Sequence, residues 1–427
     1  MKYASVLLAV TCLLSAVKAQ WLETTIQLDS GSRPYALCYN PQNNKVYCAN
    51  NDSSNVTVID GATNQVITTV IAGHNPWTLC YNPQNNKVYC ANYDIDSGGV
   101  TVLDGATNQV ITTVTAVRGP CALCYNPQNN KVYSANYHSG NVTVIDGATN
   151  QVISTVTAGL GPDALCYNPQ NNKVYCANVF SGDVTVIDGA TNEVITTVTA
   201  GLGPCALCYN PQNSKVYCAN GNSGDVTVID GATNQVIVTV LAGAEPRALC
   251  HNPTNNNVYC ANGSSNNVTV IDGATNQVIA TVPAGSWPRA FCYNPANNKV
   301  YCANNYSGTV TVIDGASNQV LRTIGVGDGP RDFTWNPAQN RVYVANHDSS
   351  TISVLRDSMT GIEEIANGEG RKATGRASVV RRLPPGAVVF DPMGRRVLNP
   401  KPGVYFVRSA SGVMREASSV YKVIIQR

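Results

Sequence analysis

The chain has 427 residues, a formal net charge of +2 and only 13% charged residues, about half the usual share. So few charges, split almost evenly in sign, exclude the broad basic surface that nonspecific nucleic-acid binding needs. Beyond the first twenty positions no run is apolar enough to cross a bilayer, which excludes helical spans in a processed chain.

The chain begins with Lys2 and an apolar stretch from Ala4 to Val17, followed by Val17-Lys18-Ala19, a small-residue cleavage pattern. Residues 1–19 are therefore expected to be a secretory signal peptide, and the protein to be secreted or held at the cell surface.

From residue 21 one sentence is repeated eight times. Its anchor is an Asn-Pro pair, first at Asn40-Pro41 and last at Asn336-Pro337, with steps of 42 residues and one of 44. In the first unit Tyr35-Ala36-Leu37-Cys38-Tyr39 leads into the turn Asn40-Pro41-Gln42-Asn43-Asn44. Then come Lys45-Val46-Tyr47-Cys48-Ala49, a Ser/Asn/Asp loop, Asn55-Val56-Thr57-Val58-Ile59, the turn Asp60-Gly61-Ala62-Thr63-Asn64, and Gln65-Val66-Ile67-Thr68-Thr69-Val70. These runs are β-branched and aromatic and are bounded by Asn, Asp, Gly and Pro, with no helical period, so each unit predicts four short strands. A period near 40 residues built this way predicts propeller blades. The first three strands occur eight times, but only seven fourth strands follow them. The missing copy stands ahead of the first unit as Glu23-Thr24-Thr25-Ile26-Gln27-Leu28. The predicted fold is all-β: an eight-bladed β-propeller over 21–355, closed by its N-terminal strand so that no blade is left incomplete.

The unit Lys-Val-Tyr-Cys-Ala-Asn…Val-Thr-Val-Ile-Asp-Gly-Ala-Thr-Asn-Gln-Val-Ile resembles the YVTN β-propeller repeat of surface-layer-like proteins. Cys48 stands where that repeat usually has Val, and Tyr343-Val344-Ala345-Asn346 is closer to it. The resemblance implies a scaffold and leaves the chemistry open.

Residues 356–378 change to a Gly-, Ser- and charge-rich linker, and 379–427 become β-rich again. Asp391-Pro392-Met393-Gly394-Arg395, Pro402-Gly403-Val404-Tyr405 and the final Lys422-Val423-Ile424 resemble the C-terminal sorting domain of the type IX secretion system, a small β-sandwich. That resemblance implies an address read by the type IX machinery. From Arg356 onward 13 Lys/Arg face 6 Asp/Glu, a net of +7, while Trp21 to Leu355 carries 13 against 20, a net of −7.

Six units carry two cysteines ten residues apart: Cys38/Cys48, Cys80/Cys90, Cys166/Cys176, Cys208/Cys218, Cys250/Cys260 and Cys292/Cys302. If the hairpin loop has three or five residues, each pair lies directly opposite and a cross-strand disulfide fits an exported protein. A loop one residue longer or shorter sets Cys38 opposite Tyr47, and the cysteines become small buried hydrophobes.

The loops after the first and third strands barely change from unit to unit. The loops after the second strand and into the next blade vary, and both emerge on one face around the channel. The residue after the Pro that opens each innermost strand should line the channel mouth: Tyr35, Trp77, Cys121, Asp163, Cys205, Arg247, Arg289 and Arg331. Arg247, Arg289 and Arg331, continued by Trp77 and Tyr35 and faced by Asp163, suit an anionic or sugar-like ligand. The competing reading pairs the arginines with neighbours such as Glu245, Asp328 and Asp332. The longer loop Tyr93-Asp94-Ile95-Asp96-Ser97-Gly98-Gly99 offers Asp94 and Asp96 as a weak, incomplete Ca²⁺ site. The four histidines fall at unrelated positions, and no cofactor is expected. These features favour an exported, noncatalytic binding or surface protein contacting glycan, envelope or protein. The alternative is a propeller enzyme, a lyase, lactonase or quinoprotein-like dehydrogenase, working at the channel mouth.

Overall fold

The computed structural model describes residues 20–357, except 97, 116 and 117, together with the backbone of five strands between 378 and 425. The expected signal peptide, the linker and most of the tail motifs lie outside the described residues. The chain divides into two units, one of them Trp21–Asp357.

That unit is a ring of eight four-stranded antiparallel sheets, an eight-bladed β-propeller. Blade 1 runs outward through Pro34–Asn40, Lys45–Asn50, Asn55–Asp60 and Val66–Ile71. Blade 8 has Pro330–Asn336, Arg341–Asn346 and Thr351–Asp357, and its outer strand is Gln20–Gln27 from the other end of the chain. The expected closure is what the fold shows. Consecutive innermost strands touch all the way round, from blade 1 back through blade 8. Among the described residues the one departure from strand and loop is a 3-10 turn at Asn305–Ser307.

The core lies between blades. Both faces of each second and third strand are covered, so Val46, Tyr47, Cys48, Ala49, Val56, Val58 and Ile59 are all at 0% exposure. This is why these strands read as continuous apolar runs while the outer strand alternates. Polar groups then tie one blade to the next. Asn40 accepts from the backbone N–H groups of Gln42 (2.9 Å) and Asn43 (3.2 Å) through Oδ1, and donates through Nδ2 to Asn86 of blade 2 at 2.9 Å. The same step recurs in every blade and closes from Asn336 to Asn44 at 3.0 Å. Lys45 Nζ donates to the carbonyls of Gly105 and Ala106 in the next blade's turn, and the Tyr47 hydroxyl donates to Gly105 O at 3.2 Å. Blade 8 lacks that turn. Asp357 takes its place, accepting from Lys299 Nζ at 2.6 Å and from Asn294 Nδ2 at 2.9 Å, with Lys299 and Asp357 both fully buried.

The hairpin register decides between the two readings of the paired cysteines, against disulfides. Asn40 pairs with Lys45, leaving a four-residue loop, so Cys38 lies opposite Tyr47 and Cys48 opposite Leu37. The members of a pair therefore point to opposite faces of the sheet. The offset repeats for Cys80/Cys90, Cys166/Cys176, Cys208/Cys218, Cys250/Cys260 and Cys292/Cys302, and all are free thiols.

The C-terminal strands Ser378–Val380, Val388–Phe390, Arg396–Val397, Gly403–Arg408 and Val420–Ile425 form one five-stranded sheet. Its first strand runs parallel to its last.

Candidate functional site

Every innermost strand breaks its pairing at one residue. In blade 1 Pro34 pairs with Asn50 and Ala36 with Ala49, so Tyr35 is the extra residue of a β-bulge. The bulge recurs at Trp77, Cys121, Asp163, Cys205, Arg247, Arg289 and Arg331. A bulge re-aims the side chain it carries. The eight positions expected at the channel mouth are thus the eight that the backbone frees from regular pairing.

Arg331 donates through Nη2 to the Tyr35 hydroxyl at 2.6 Å, and its Cζ stands 3.8 Å from the Tyr35 ring centroid and 5.9 Å from that of Trp77. Arg247 pairs with Glu245 at 2.9 Å and stands 5.8 Å from the Trp287 ring centroid. The pairing of Arg247 with Glu245 was anticipated. That of Arg331 with Asp332 does not form, because the Asp332 carboxylate accepts from the Leu37 N–H of blade 1 at 2.7 Å. Among the described residues Arg289 makes no ion pair. Its charge acts on Tyr35, Asp163, Cys205 and Asp332, in blades 1, 4, 5 and 8, so it reaches across the channel. The Nε atoms of Arg247 and Arg331 are buried without a partner.

Two carboxyls face this positive charge. Burial drives Asp163 up to about 6, against the pull of Arg289 and Arg247. Burial drives Asp332 up to about 6 as well, partly offset by the Leu37 and Phe333 N–H groups and Arg289. Each can therefore gain or lose a proton near neutrality, as acid–base chemistry requires. Burial, with the repulsion of Arg289, lowers the pKa of Arg331. The crowded guanidinium groups favour an anion beside them.

A continuous aromatic arc borders the other half of the mouth. Ring centroids are 3.9 Å apart for Tyr35–Trp77, 4.7 Å for Trp77–Tyr93, 6.1 Å for Tyr93–Tyr137 and 5.4 Å for Tyr137–Phe180. Sequence reasoning found Tyr35 and Trp77 but passed over Tyr93, Tyr137 and Phe180. For Tyr93 and Tyr137 the signal lay in the column after the second strand's Asn, which reads Asn51, Tyr93, Tyr137, Val179, Gly221, Gly263, Asn305 and His347; Phe180 stands one place beyond it.

Asp94 accepts from the Asp96 backbone N–H at 2.9 Å, which makes that loop an Asx turn. Among the described residues no three His, Cys, Asp or Glu side chains gather closely enough to hold one metal ion. His138 packs on Tyr93 and Tyr137, and His347 lies beside Asp348, so the histidines form no common centre.

A family model described as lactonase, 7-bladed beta-propeller, matches residues 60–159. The present ring has eight blades. No curated protein matches the chain. Among solved structures the Kuenenia stuttgartiensis hydrazine synthase is similar with a TM-score of 0.55 and 17% identity, covering 79% of this chain and 99% of that one. At that identity the likeness speaks for the fold alone. The lactonase match overturns the expectation that the protein is not an enzyme, since it points to hydrolytic chemistry.

Proposed function

We propose that the channel mouth binds a small anionic, ring-bearing ester and opens it by hydrolysis. The observation that carries this reading is the opposition of Arg247 and Arg289 to a largely buried Asp163 whose pKa is raised to about 6. The lactonase match over residues 60–159 supports a cyclic ester as the substrate class. Arg247 and Arg331 hold the ligand's anionic group through guanidinium hydrogen bonds. The partly exposed Trp77 and Tyr93, stacked on each other, border the ligand's ring. Arg289, which has no ion pair among the described residues, faces the carbonyl oxygen and stabilises the negative charge that forms on it. Asp163, deprotonated above about pH 6, takes a proton from water as its oxygen attacks the carbonyl carbon. The ring C–O bond then breaks and the leaving alkoxide receives that proton back.

The test is hydrolysis of a panel of carboxylate- and phosphate-bearing lactones, followed by proton release. Wild-type protein should turn over at least one of them. Asp163→Asn should lower kcat by about 10²-fold or more, and Arg289→Ala should act on kcat more than on KM. Absence of turnover across the panel, or full activity in Asp163→Asn, would sink the reading.

We further propose that the protein is exported, with residues 1–19 as signal and the tail from 379 as a sorting address for the type IX machinery. The apolar stretch Ala4–Val17 and the three tail motifs support this, and the YVTN resemblance suits a place at the cell surface. Loss of surface display on deleting 379–427 is the expected result.

A further inference from the structure

The residue that opens each second strand reaches across a seam between blades. In blades 1 to 5 it is a lysine, and its Nζ meets peptide carbonyls of the next blade's Asp-Gly turn. Lys45, Lys87, Lys131, Lys173 and Lys215 donate to Gly105, Gly147, Gly189, Gly231 and Gly273 at 2.8–2.9 Å. Lys299 of blade 7 meets a different group. Blade 8 has no such turn, and Asp357 stands where the other blades have the glycine, since Arg356 pairs with Arg341 as Asp60 pairs with Lys45. Attack by an amine on a peptide carbonyl would cut the chain. A carboxyl can instead give up one oxygen as water, so Lys299 alone among these six lysines faces a group with which it can condense.

The geometry of the pair is that of reactants held in place. Lys299 Nζ lies 2.6 Å from Asp357 Oδ1, and both side chains are at 0% exposure. The carboxyl carbon is one C–O bond beyond that oxygen, close to the roughly 3–3.5 Å of a near-attack arrangement. Asn294 Nδ2 donates to the other oxygen, Oδ2, at 2.9 Å. Tyr301 is fully buried and near enough for the Asp357 charge to act on it. Its counterpart Tyr47 bonds to Gly105 O at 3.2 Å and Asn108 Oδ1 at 3.1 Å. Among the described residues no hydrogen bond satisfies the Tyr301 hydroxyl. A buried hydroxyl left so is costly, which marks it as a group kept for another purpose.

We propose that Lys299 and Asp357 condense to an isopeptide bond, a self-made covalent modification that locks the ring. One Nζ proton passes to Oδ1 along the 2.6 Å hydrogen bond, giving an amine beside a carboxylic acid. Away from water this neutral pair competes with the ion pair, because burying two charges is expensive. The Nζ lone pair then forms a bond to Cγ, and the negative charge that develops on Oδ2 is held by Asn294 Nδ2. A second Nζ proton moves to Oδ1 with the Tyr301 hydroxyl as relay. The Cγ–Oδ1 bond breaks, Oδ1 leaves as water, and the carbonyl re-forms at Oδ2. The product is an uncharged secondary amide that keeps one N–H. One water is lost, and no oxidant, reductant or cofactor takes part. The link ties blade 7 to the final strand of blade 8, Thr351–Asp357, across 58 residues of chain.

The test is mass spectrometry of the folded, full-length protein after denaturation and tryptic digestion. Trypsin does not cut after a lysine whose Nζ is acylated. The peptide 290–322 should therefore appear joined to 357–371, lighter than the two together by one water, in more than half of the molecules. Fragmentation should place the branch at Lys299 and Asp357. This reading is made on wild-type protein, so it does not depend on any variant folding. Lys299→Arg keeps the positive charge but removes the amine, and should give no joined peptide. Separate peptides 290–299 and 357–371 as the main products of folded wild-type protein would overturn the proposal, as would a joined species that persists in Lys299→Arg.

Discussion

At the scale of single residues, the informative groups are those whose surroundings oppose their charge. Asp163 and Asp332 have an ordinary value of 3.8 and sit near 6 in the fold because burial disfavours the carboxylate. A carboxyl whose folded pKa is raised favours the protonated fold. Its contribution to stability is complete below about pH 4 and is lost as pH rises through 6, by at most about 3 kcal/mol per group. Asp163→Asn should therefore be more stable than wild type by about 1–2 kcal/mol near pH 8 and indistinguishable near pH 3.5. Urea unfolding at both pH values checks this, and a variant weaker at pH 8 contradicts it. The same protonation bears on binding. An anion bound at the mouth should dissociate more readily as pH rises through 6, and Arg331→Ala should weaken it by about tenfold or more, roughly 1.4 kcal/mol. Calorimetric titration on either side of pH 6 measures both effects. The arginine arc was legible in the sequence because one column of the repeat breaks toward Arg three times. The partner of Asp332 was not, because Leu37 lies 295 residues away and reaches it only through ring closure.

At the scale of elements, the unit of construction is a hairpin with its turn, and the turns do more than reverse the chain. Asn126 accepts from the N–H groups of Gln128 (2.9 Å) and Asn129 (3.3 Å) and donates to Asn172 of the next blade at 2.8 Å. Asn126→Ala leaves buried donors without partners and should reduce stability by about 2–3 kcal/mol, read from the denaturation midpoint. The Asp-Gly turn is equally constrained. A Cβ on Gly147 would meet Asn130 Oδ1 of its own blade at 2.4 Å and Asn82 Nδ2 of blade 2 at 2.6 Å, so Gly147→Ala disturbs both its own hairpin and the seam to blade 2. The repeated Asn-Pro-Gln-Asn-Asn-Lys pattern announced a turn, yet its length was the one quantity that decided the cysteines. A four-residue loop, not three or five, sends Cys38 and Cys48 to opposite faces. Within the repeat Cys48→Val is therefore expected to change stability by less than about 1.5 kcal/mol, as Val344 at that position in blade 8 suggests.

At the scale of the whole molecule, closure is the vulnerable step. Blade 8 borrows its outer strand, and Arg341 fastens it by two hydrogen bonds to Glu23, at 2.9 and 2.6 Å, while also donating to the Gly61 and Ala62 carbonyls of blade 1. Removing residues 20–28 exposes the edge of Thr351–Asp357 and should convert a monodisperse ring into aggregating protein, visible by light scattering. The second fastening is the buried Lys299–Asp357 pair. Lys299→Met leaves Asp357 buried without its cation and should reduce stability by about 3–5 kcal/mol. Adding Asp357→Asn should recover part of that loss, and thermal unfolding of the two variants compares them.

The amino-acid sequence by itself determined the number of blades, the order of strands within each and the chain end that closes the ring. Those properties follow from local turn chemistry and strand patterning repeated eight times, which need no knowledge of distant contacts. It also singled out the column of the repeat that the structure sets in a β-bulge. Only the tertiary structure decided the hairpin register, and with it the free thiols, because a shift of a single residue exchanges the two faces of a sheet. Only the tertiary structure assembled Arg289, Asp163, Tyr35 and Asp332 around one opening, since they lie on four blades and meet solely because the ring is closed. The strength of their mutual fields, and the carboxyls held near 6, come from burial that no short stretch of sequence encodes.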